Sequence, residues 1–194
     1  MGGAPGATYS FIVEATDEKE EVDWHKVGAD TVHYASVGEN IGVSVVINPV
    51  GAAWGIGSQF IADTITMSYT DTKPSLDMYG SAALGGSIAN ALTGNPDIDP
   101  QVAAAIGSAI SAAIGDTLEA RNGVAEHSGQ EIAIDTVWAA VYGYSTSFIA
   151  SGVDPTKNPI CSADFLSTAL SGYNLGIYNV FKINTGLFDT YKKP

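Results

Sequence analysis

The chain has 194 residues, 45% of them hydrophobic and only 15% charged, and this length suits one domain with a full core. Its net charge is −13 with 8 Lys and Arg residues in total, which excludes the clustered cations that nucleic-acid binding requires. A single cysteine, Cys161, excludes an internal disulfide framework, and no cofactor-binding motif occurs. We therefore expect one domain over residues 1–194, with neither a nucleic-acid partner nor a cofactor.

Composition and the absence of a recognisable signal peptide point to different cellular compartments. Few charges together with many Gly, Ser and Thr residues favour a secreted or extracellular protein, although residues 1–5 lack the basic and apolar regions of a signal peptide. The uncharged run 40–62 is long enough to cross a membrane, but it contains Pro49 and four glycines. It is therefore not predicted to form a spanning helix.

Alternation of apolar and polar residues predicts strands before residue 75. In 8–15 the apolar residues share one face, and 59–70 places a row of threonines and a serine opposite its apolar residues, which is typical of a half-buried strand. Further short strands are predicted at 22–27, 31–37 and 41–47.

The stretch 80–120 is the one long segment with helical spacing, and Ala, Gly and Ser dominate it. Asp99 is placed to cap a helix that begins at Pro100, and the turn 94–97 has a suitable length to connect an antiparallel pair. The sequence therefore predicts a helical hairpin.

Beyond the hairpin, 130–149 is apolar on both faces, which predicts a buried strand with a bend at Gly143. A short helix is predicted from Ser162 to Gly172, followed by a last strand over 173–184. Because strands precede and follow the helices, we expect an α+β fold. Its antiparallel β-sheet or sandwich has about six to eight strands, with the hairpin packed on one face and one short helix near the C-terminus.

The second helix of the hairpin combines a row of isoleucines with a small-xxx-small repeat, formed by Ile106, Gly107, Ile110, Ser111, Ile114 and Gly115. This pattern is typical of close helix packing in a soluble hairpin. It also fits a hairpin that leaves the sheet and inserts into a membrane, which its lack of charge favours. Each helix is shorter than the ~20 apolar residues of a clean span, which disfavours full spanning.

Two further residue sets are candidate sites. If two of the early strands pair, Asp23, His25 and His33 meet as metal ligands or as an acid/base set, and otherwise they are solvated polar residues. The aromatic candidates have apolar bodies and polar tips that suit sugars, lipids or proteins, although such residues are also ordinary in sheets. They are Trp54, Tyr142, Tyr144, Tyr173 and Tyr178.

Three functions compete on these observations. The first is a non-enzymatic, membrane-active, toxin-like and pore-forming protein that inserts or rearranges the hairpin 80–120. The second is a self-assembling structural module, or one that binds glycans or proteins. The third is a small metal-dependent hydrolase that uses Asp23, His25 and His33. Enzyme activity is not favoured, because no nucleophile motif occurs and the scattered carboxylates have no spacing that pairs them as glycosidase acids; these are Asp63, Glu131, Asp135 and Asp164. The expected partners are a lipid membrane, or a glycan or protein surface, and further copies of the chain.

Overall fold

The computed structural model describes the backbone of residues 24–152 and 163–187 and the side chains of 33–152 and 164–187. These ranges contain six α-helices and no strand, so the predicted α+β sheet is wrong. The helices are α1 (Trp24–Ile47), α2 (Pro49–Tyr69), α3 (Leu76–Thr93), α4 (Pro100–Arg121), α5 (Gly129–Ser151) and α6 (Ala163–Thr185). The predicted hairpin is present as α3 and α4, whereas the strand predicted at 8–15 lies outside the described residues.

The alternation over 59–70 belongs to α2, where hydroxyl groups bond within the helix. Thr64, Thr66 and Ser68 each donate to the carbonyl oxygen four residues earlier, over 2.7–2.9 Å. This internal bond satisfies the hydroxyl without a sheet partner. Threonine content therefore indicated a strand where tertiary packing selects a helix.

Pro49 and Gly172 have structural roles that differ from those expected from the sequence. Pro49 follows the strand predicted at 41–47, but it is the first residue of α2, and the Asn48 side chain caps this helix by accepting a hydrogen bond from the backbone N–H of Gly51 (3.0 Å). Gly172 does not end a short helix, because α6 continues through it to Thr185. A Cβ atom at Gly172 would overlap the Ser58 carbonyl oxygen, so this glycine allows α6 to approach α2 closely.

Consecutive helices run antiparallel. Helices α2 to α6 form a closed ring in which α6 packs back against α2, while α1 packs outside the ring on α3 and α2. One end of the bundle holds the C-termini of α2, α4 and α6 and the N-termini of α1, α3 and α5; we call it the acidic end. The opposite end holds the C-termini of α1, α3 and α5 and the N-termini of α2, α4 and α6; we call it the open end.

The interior of the bundle is small or polar, and the large apolar side chains lie outside. Apart from Val37 and Tyr142, the buried hydrophobic residues of the described helices are alanines, and none is Leu, Ile or Phe. The buried set also includes acids, such as Asp77 and Asp116. By contrast, Val46 is 86% exposed. Water-soluble domains show the opposite distribution.

Candidate functional site

Four carboxylates meet at the acidic end, together with one histidine and one lysine. Asp116 and Glu119 come from the last turns of α4, and Glu131 and Asp135 come from the first turns of α5. Spacings of three and four residues place each pair on one helix face, and the antiparallel packing brings the two faces together. His127, in the α4–α5 connector, and Lys182 of α6 complete the group, which we call the acidic cluster.

The α5 side of the acidic cluster carries its own cation. Lys182 Nζ lies 2.6 Å from Asp135 Oδ2 and 3.0 Å from Glu131 Oε1. The Tyr178 hydroxyl donates to the other Asp135 oxygen over 2.5 Å. Glu131 and Asp135 are thus paired with a positive charge and a hydroxyl donor, as buried carboxylates require.

His127 lies between carboxylates of both helices. Its Nε2 lies 2.9 Å from Glu119 Oε2, and its Nδ1 lies 3.3 Å from Glu131 Oε1. Burial alone would lower the pKa of the imidazole. The hydrogen bond to Glu119 and the negative charge of Asp116 outweigh that effect, so the pKa of His127 lies above its usual value.

Asp116 is the least compensated member of the acidic cluster. The residue is 3% exposed, and its Oδ2 atom is buried without a hydrogen-bond partner. Lys182 pairs with Glu131 and Asp135, and both Lys182 and His127 also attract the negative charge of Asp116, so one lysine and one histidine face four carboxylates. A buried site with this excess of carboxylates attracts a cation or takes up protons.

A cavity of about 360 Å³ lies inside the ring of α2 to α6. It extends from Pro100 and Ser151 at the open end to Gln59 and Tyr142 near the middle of the bundle. Hydroxyl side chains line it, among them Ser58, Ser108, Ser111, Ser147, Thr168 and Ser171. Tyr142 lies within electrostatic range of Asp116 and Asp135, so the inner end of the cavity adjoins the acidic cluster.

A buried acid outside the acidic cluster lies near the same end of the bundle, on the side of α1. Asp77 is fully buried, accepts a hydrogen bond from Asn122 Nδ2 (3.0 Å) and has His33 Nε2 at 3.0 Å from its other oxygen. His33 therefore neighbours an acid that sequence reasoning did not select. The paired strands expected around it do not exist, because His25 and His33 are on one helix, about 12 Å apart along its axis. Asp23 lies outside the described residues.

The aromatic candidates are spread through the bundle. Tyr142 is buried and Tyr178 bonds to Asp135, so both face inward. Tyr144 and Tyr173 are 47% and 54% exposed on the outside, and Trp54 lines the cavity. The five residues therefore do not share one surface.

The candidates on α4 divide between packing and exposure. Gly107 and Ser111 lie against Gly85 of α3, and Gly115 lies against Met78 and Ser81 of the same helix. Ile106 is 39% exposed, while Ile110 and Ile114 are half-buried. The small residues of the repeat thus face the interior.

The chain matches no protein-family model, and comparisons with curated proteins and with solved structures find no match either.

Sequence reasoning missed the acidic cluster because 130–149 was interpreted as a strand. On a strand, Glu131 and Asp135 are unrelated to Asp116 and Glu119. On facing ends of two antiparallel helices, the same residues converge. The available signal was the occurrence of carboxylates at i, i+3 and i, i+4 in segments otherwise poor in charge.

Proposed function

We propose that this chain is an integral membrane protein whose six helices cross the bilayer, and that it carries or conducts a cation along the axis of the helix ring. The observation that carries the proposal is a hydroxyl-lined cavity that leads to buried carboxylates, inside a bundle whose outer surface is apolar. Intramembrane acids that face a bundle interior typically mark ion and proton pathways.

The outer surface supports the location in a membrane. On α5 a stripe of large apolar side chains points away from the bundle, at Ile134, Val137, Val141, Tyr144 and Phe148, each 39–64% exposed. Water would make such a stripe unfavourable, by roughly 25 cal/mol per Å² of apolar surface left exposed. A bilayer removes that penalty, because lipid tails are as apolar as the side chains.

Helix length and hydroxyl bonding also fit a bilayer. The helices have 18 to 24 residues, close to the ~20 that cross a hydrocarbon core. Exposed hydroxyl groups bond to carbonyls of their own helix, as Thr64, Thr117 and Ser145 do over 2.6–2.8 Å, and so need no water.

Composition contributes less to the proposal than the distribution of residues. Among the described helices, only α4 is long and apolar enough by length and composition to cross a membrane, and 22% of its most apolar stretch is buried. The core helix of a soluble protein passes the same test. The apolar residues that face outward are therefore the stronger support for a membrane location. Small and polar residues face inward on the other helices, which lowers their mean hydropathy without changing their outer surface.

The proposed membrane location agrees with the expectation from the sequence, but the insertion or rearrangement of the hairpin 80–120 is not part of this proposal. In the bundle, α3 packs on α1, α2 and α4, with glycine contacts to both α2 and α4. Release of the hairpin would break the contacts of α3 with α1 and α2 and those of α4 with α5. Placing the whole bundle in the bilayer requires no such rearrangement.

The positive charges favour one orientation. Lys73, in the α2–α3 connector, and Arg121, the last residue of α4, lie at the acidic end, whereas the described connectors of the open end, residues 48 and 94–99, contain no Lys or Arg. Cytoplasmic loops of membrane proteins carry an excess of Lys and Arg. The acidic end then faces the cytoplasm, and the cavity opens on the other side.

The test has two steps. Carbonate extraction of expressing cells should leave the protein in the membrane pellet, and purified protein in liposomes should allow cation flux while a large trapped dye stays inside. Recovery as a water-soluble protein, whether monomer or oligomer, would contradict the membrane location. Stable insertion without flux of protons or of mono- or divalent cations would contradict the transport function.

A further inference from the structure

We propose that the acidic cluster contains a site for one divalent first-row transition-metal ion, bound by Asp116, Glu119 and His127. That this ion is the transported species rests on the proposed function. The binding site itself is argued from side chains of the α4 C-terminus and the α4–α5 connector.

The donor atoms are already close together. One donor atom from each of the three residues lies within 4.8 Å of the other two, and His127 Nε2 is 2.9 Å from Glu119 Oε2. A tetrahedral ion with bonds of about 2.1 Å places its donors roughly 3.4 Å apart. Side-chain rotations of about an ångström therefore suffice to form the site.

The unpaired carboxylate oxygen of Asp116 is a second, independent observation that indicates a bound ion. Its Oδ2 atom is buried without a hydrogen-bond partner, in a residue that is 97% buried, and its carboxylate faces Glu119 and His127. Leaving a buried carboxylate oxygen unpaired costs more than an ordinary hydrogen bond contributes. Coordination to an ion would satisfy this oxygen without any change in helix packing.

A second set of donors shares His127 but has its own cation. His127, Glu131 and Asp135 also lie within 4.8 Å of one another, yet Lys182 occupies the space beside both carboxylates. An ion at that set would have to displace the lysine charge. Lys182 also attracts Asp116, but the Oδ2 atom of Asp116 has no hydrogen-bond partner, which is why the ion is assigned to the set with Asp116.

Glu131 then has a separate function toward the metal. Once His127 Nε2 binds the ion, Nδ1 carries the proton, and Glu131 Oε1 lies 3.3 Å from it. A carboxylate at the second ring nitrogen is the usual outer partner of a metal-bound histidine, because it fixes the tautomer and the ring orientation.

The donor types define the class of ion. Two carboxylates with one imidazole suit Mn²⁺, Fe²⁺, Co²⁺ or Zn²⁺, whereas Ca²⁺ and Mg²⁺ prefer oxygen donors only. Access is available at the acidic end, where a shallow pocket in the α4–α5 connector is lined by Gly123, Val124, Glu126 and His127. The ion would thus pass from this pocket to the site, with the cavity on its far side.

Titration of the purified full chain in detergent with Co²⁺ tests the site, because cobalt in a site with a nitrogen donor has a visible absorption spectrum. We expect one equivalent to bind, and Zn²⁺ to displace it. Asp116→Asn and His127→Gln should each weaken binding at least about tenfold. Asp71→Asn is the matched control, since this exposed acid lies at the same end of the bundle and belongs neither to the donor set nor to the pocket.

The outcomes separate the two proposals. No Co²⁺ binding to the wild type, or equal binding by the His127→Gln variant, overturns the metal site, and His127→Gln decides if Asp116→Asn fails to fold. Metal binding without flux in liposomes supports the site and contradicts the transport function. Flux of protons or monovalent cations without metal binding supports the transport function and overturns the metal site.

Discussion

Gly85 of α3 and Gly107 of α4 face each other backbone to backbone, and a Cβ atom on either would overlap the carbonyl oxygen of the other. Gly51 of α2 and Gly86 of α3 have the same reciprocal relationship. These contacts hold α3 close to both neighbours. Close approach of small residues is the main source of helix association where no hydrophobic effect operates between helices.

Gly107→Val should therefore separate α3 from α4 and destabilise the bundle. We expect a loss of about 1–3 kcal/mol, the usual range for overpacking, measured as thermal unfolding in detergent by circular dichroism. Gly42→Ala is the control, because an added Cβ at this exposed helical position meets no atom within 4 Å. That variant should be neutral or slightly stabilising. Equal stability of Gly107→Val and wild type would disprove the close packing of α3 and α4.

Val141→Lys tests the environment of the outer surface, since Val141 is 51% exposed near the middle of α5. In a bilayer, lysine at the centre of a helix costs about 2.5–3.5 kcal/mol, so the amount of membrane-inserted protein should fall strongly. Gln130→Lys, exposed at the first turn of α5, should insert like wild type. If Val141→Lys accumulates normally and is more soluble in water, the surface does not face lipid.

The orientation can be tested with the native cysteine. Cys161 is the single cysteine of the chain, and in the sequence it falls between α5 and α6. A membrane-impermeant maleimide should label Cys161 in intact cells. A Cys161→Ser, Asp71→Cys double variant, with its cysteine in the exposed α2–α3 connector, should be labelled only after permeabilisation. The reverse pattern would place the acidic end outside.

Lys182→Met should destabilise the acidic cluster, because it leaves Glu131 and Asp135 buried without their cation. Removing one partner of a buried ion pair costs about 3–5 kcal/mol, and the partial exposure of Lys182 places the expected loss near the lower value. Thermal unfolding in detergent measures it. Lys73→Met, in an exposed connector, is the matched control and should leave the melting temperature unchanged. Equal melting temperatures for both variants would show that Lys182 does not stabilise the cluster.

Local features of the helical hairpin could be predicted because they act within a few residues. Asp99 accepts the hydrogen bond from Gln101 N over 2.8 Å, and Pro100 begins α4, as their positions indicated. The small residues around Gly107 similarly indicated a close helix contact. Elsewhere the same kind of reasoning failed, since Val, Ile and Thr in 59–70 and 130–149 indicated strands in what are α2 and α5.

The amino-acid sequence was enough to predict the scarcity of charge, the helical hairpin, and the lack of a disulfide framework and of clustered cations. It did not show that the remaining segments are helices, which of their faces point inward, or that Asp116, Glu119, His127 and Glu131 meet. Small residues line the interior and large apolar residues cover the outside, so both faces of each helix are largely nonpolar in sequence. Hydrophobic periodicity distinguishes a helix from a strand only when one face is polar. Here the polar groups are inside, where packing between helices places them.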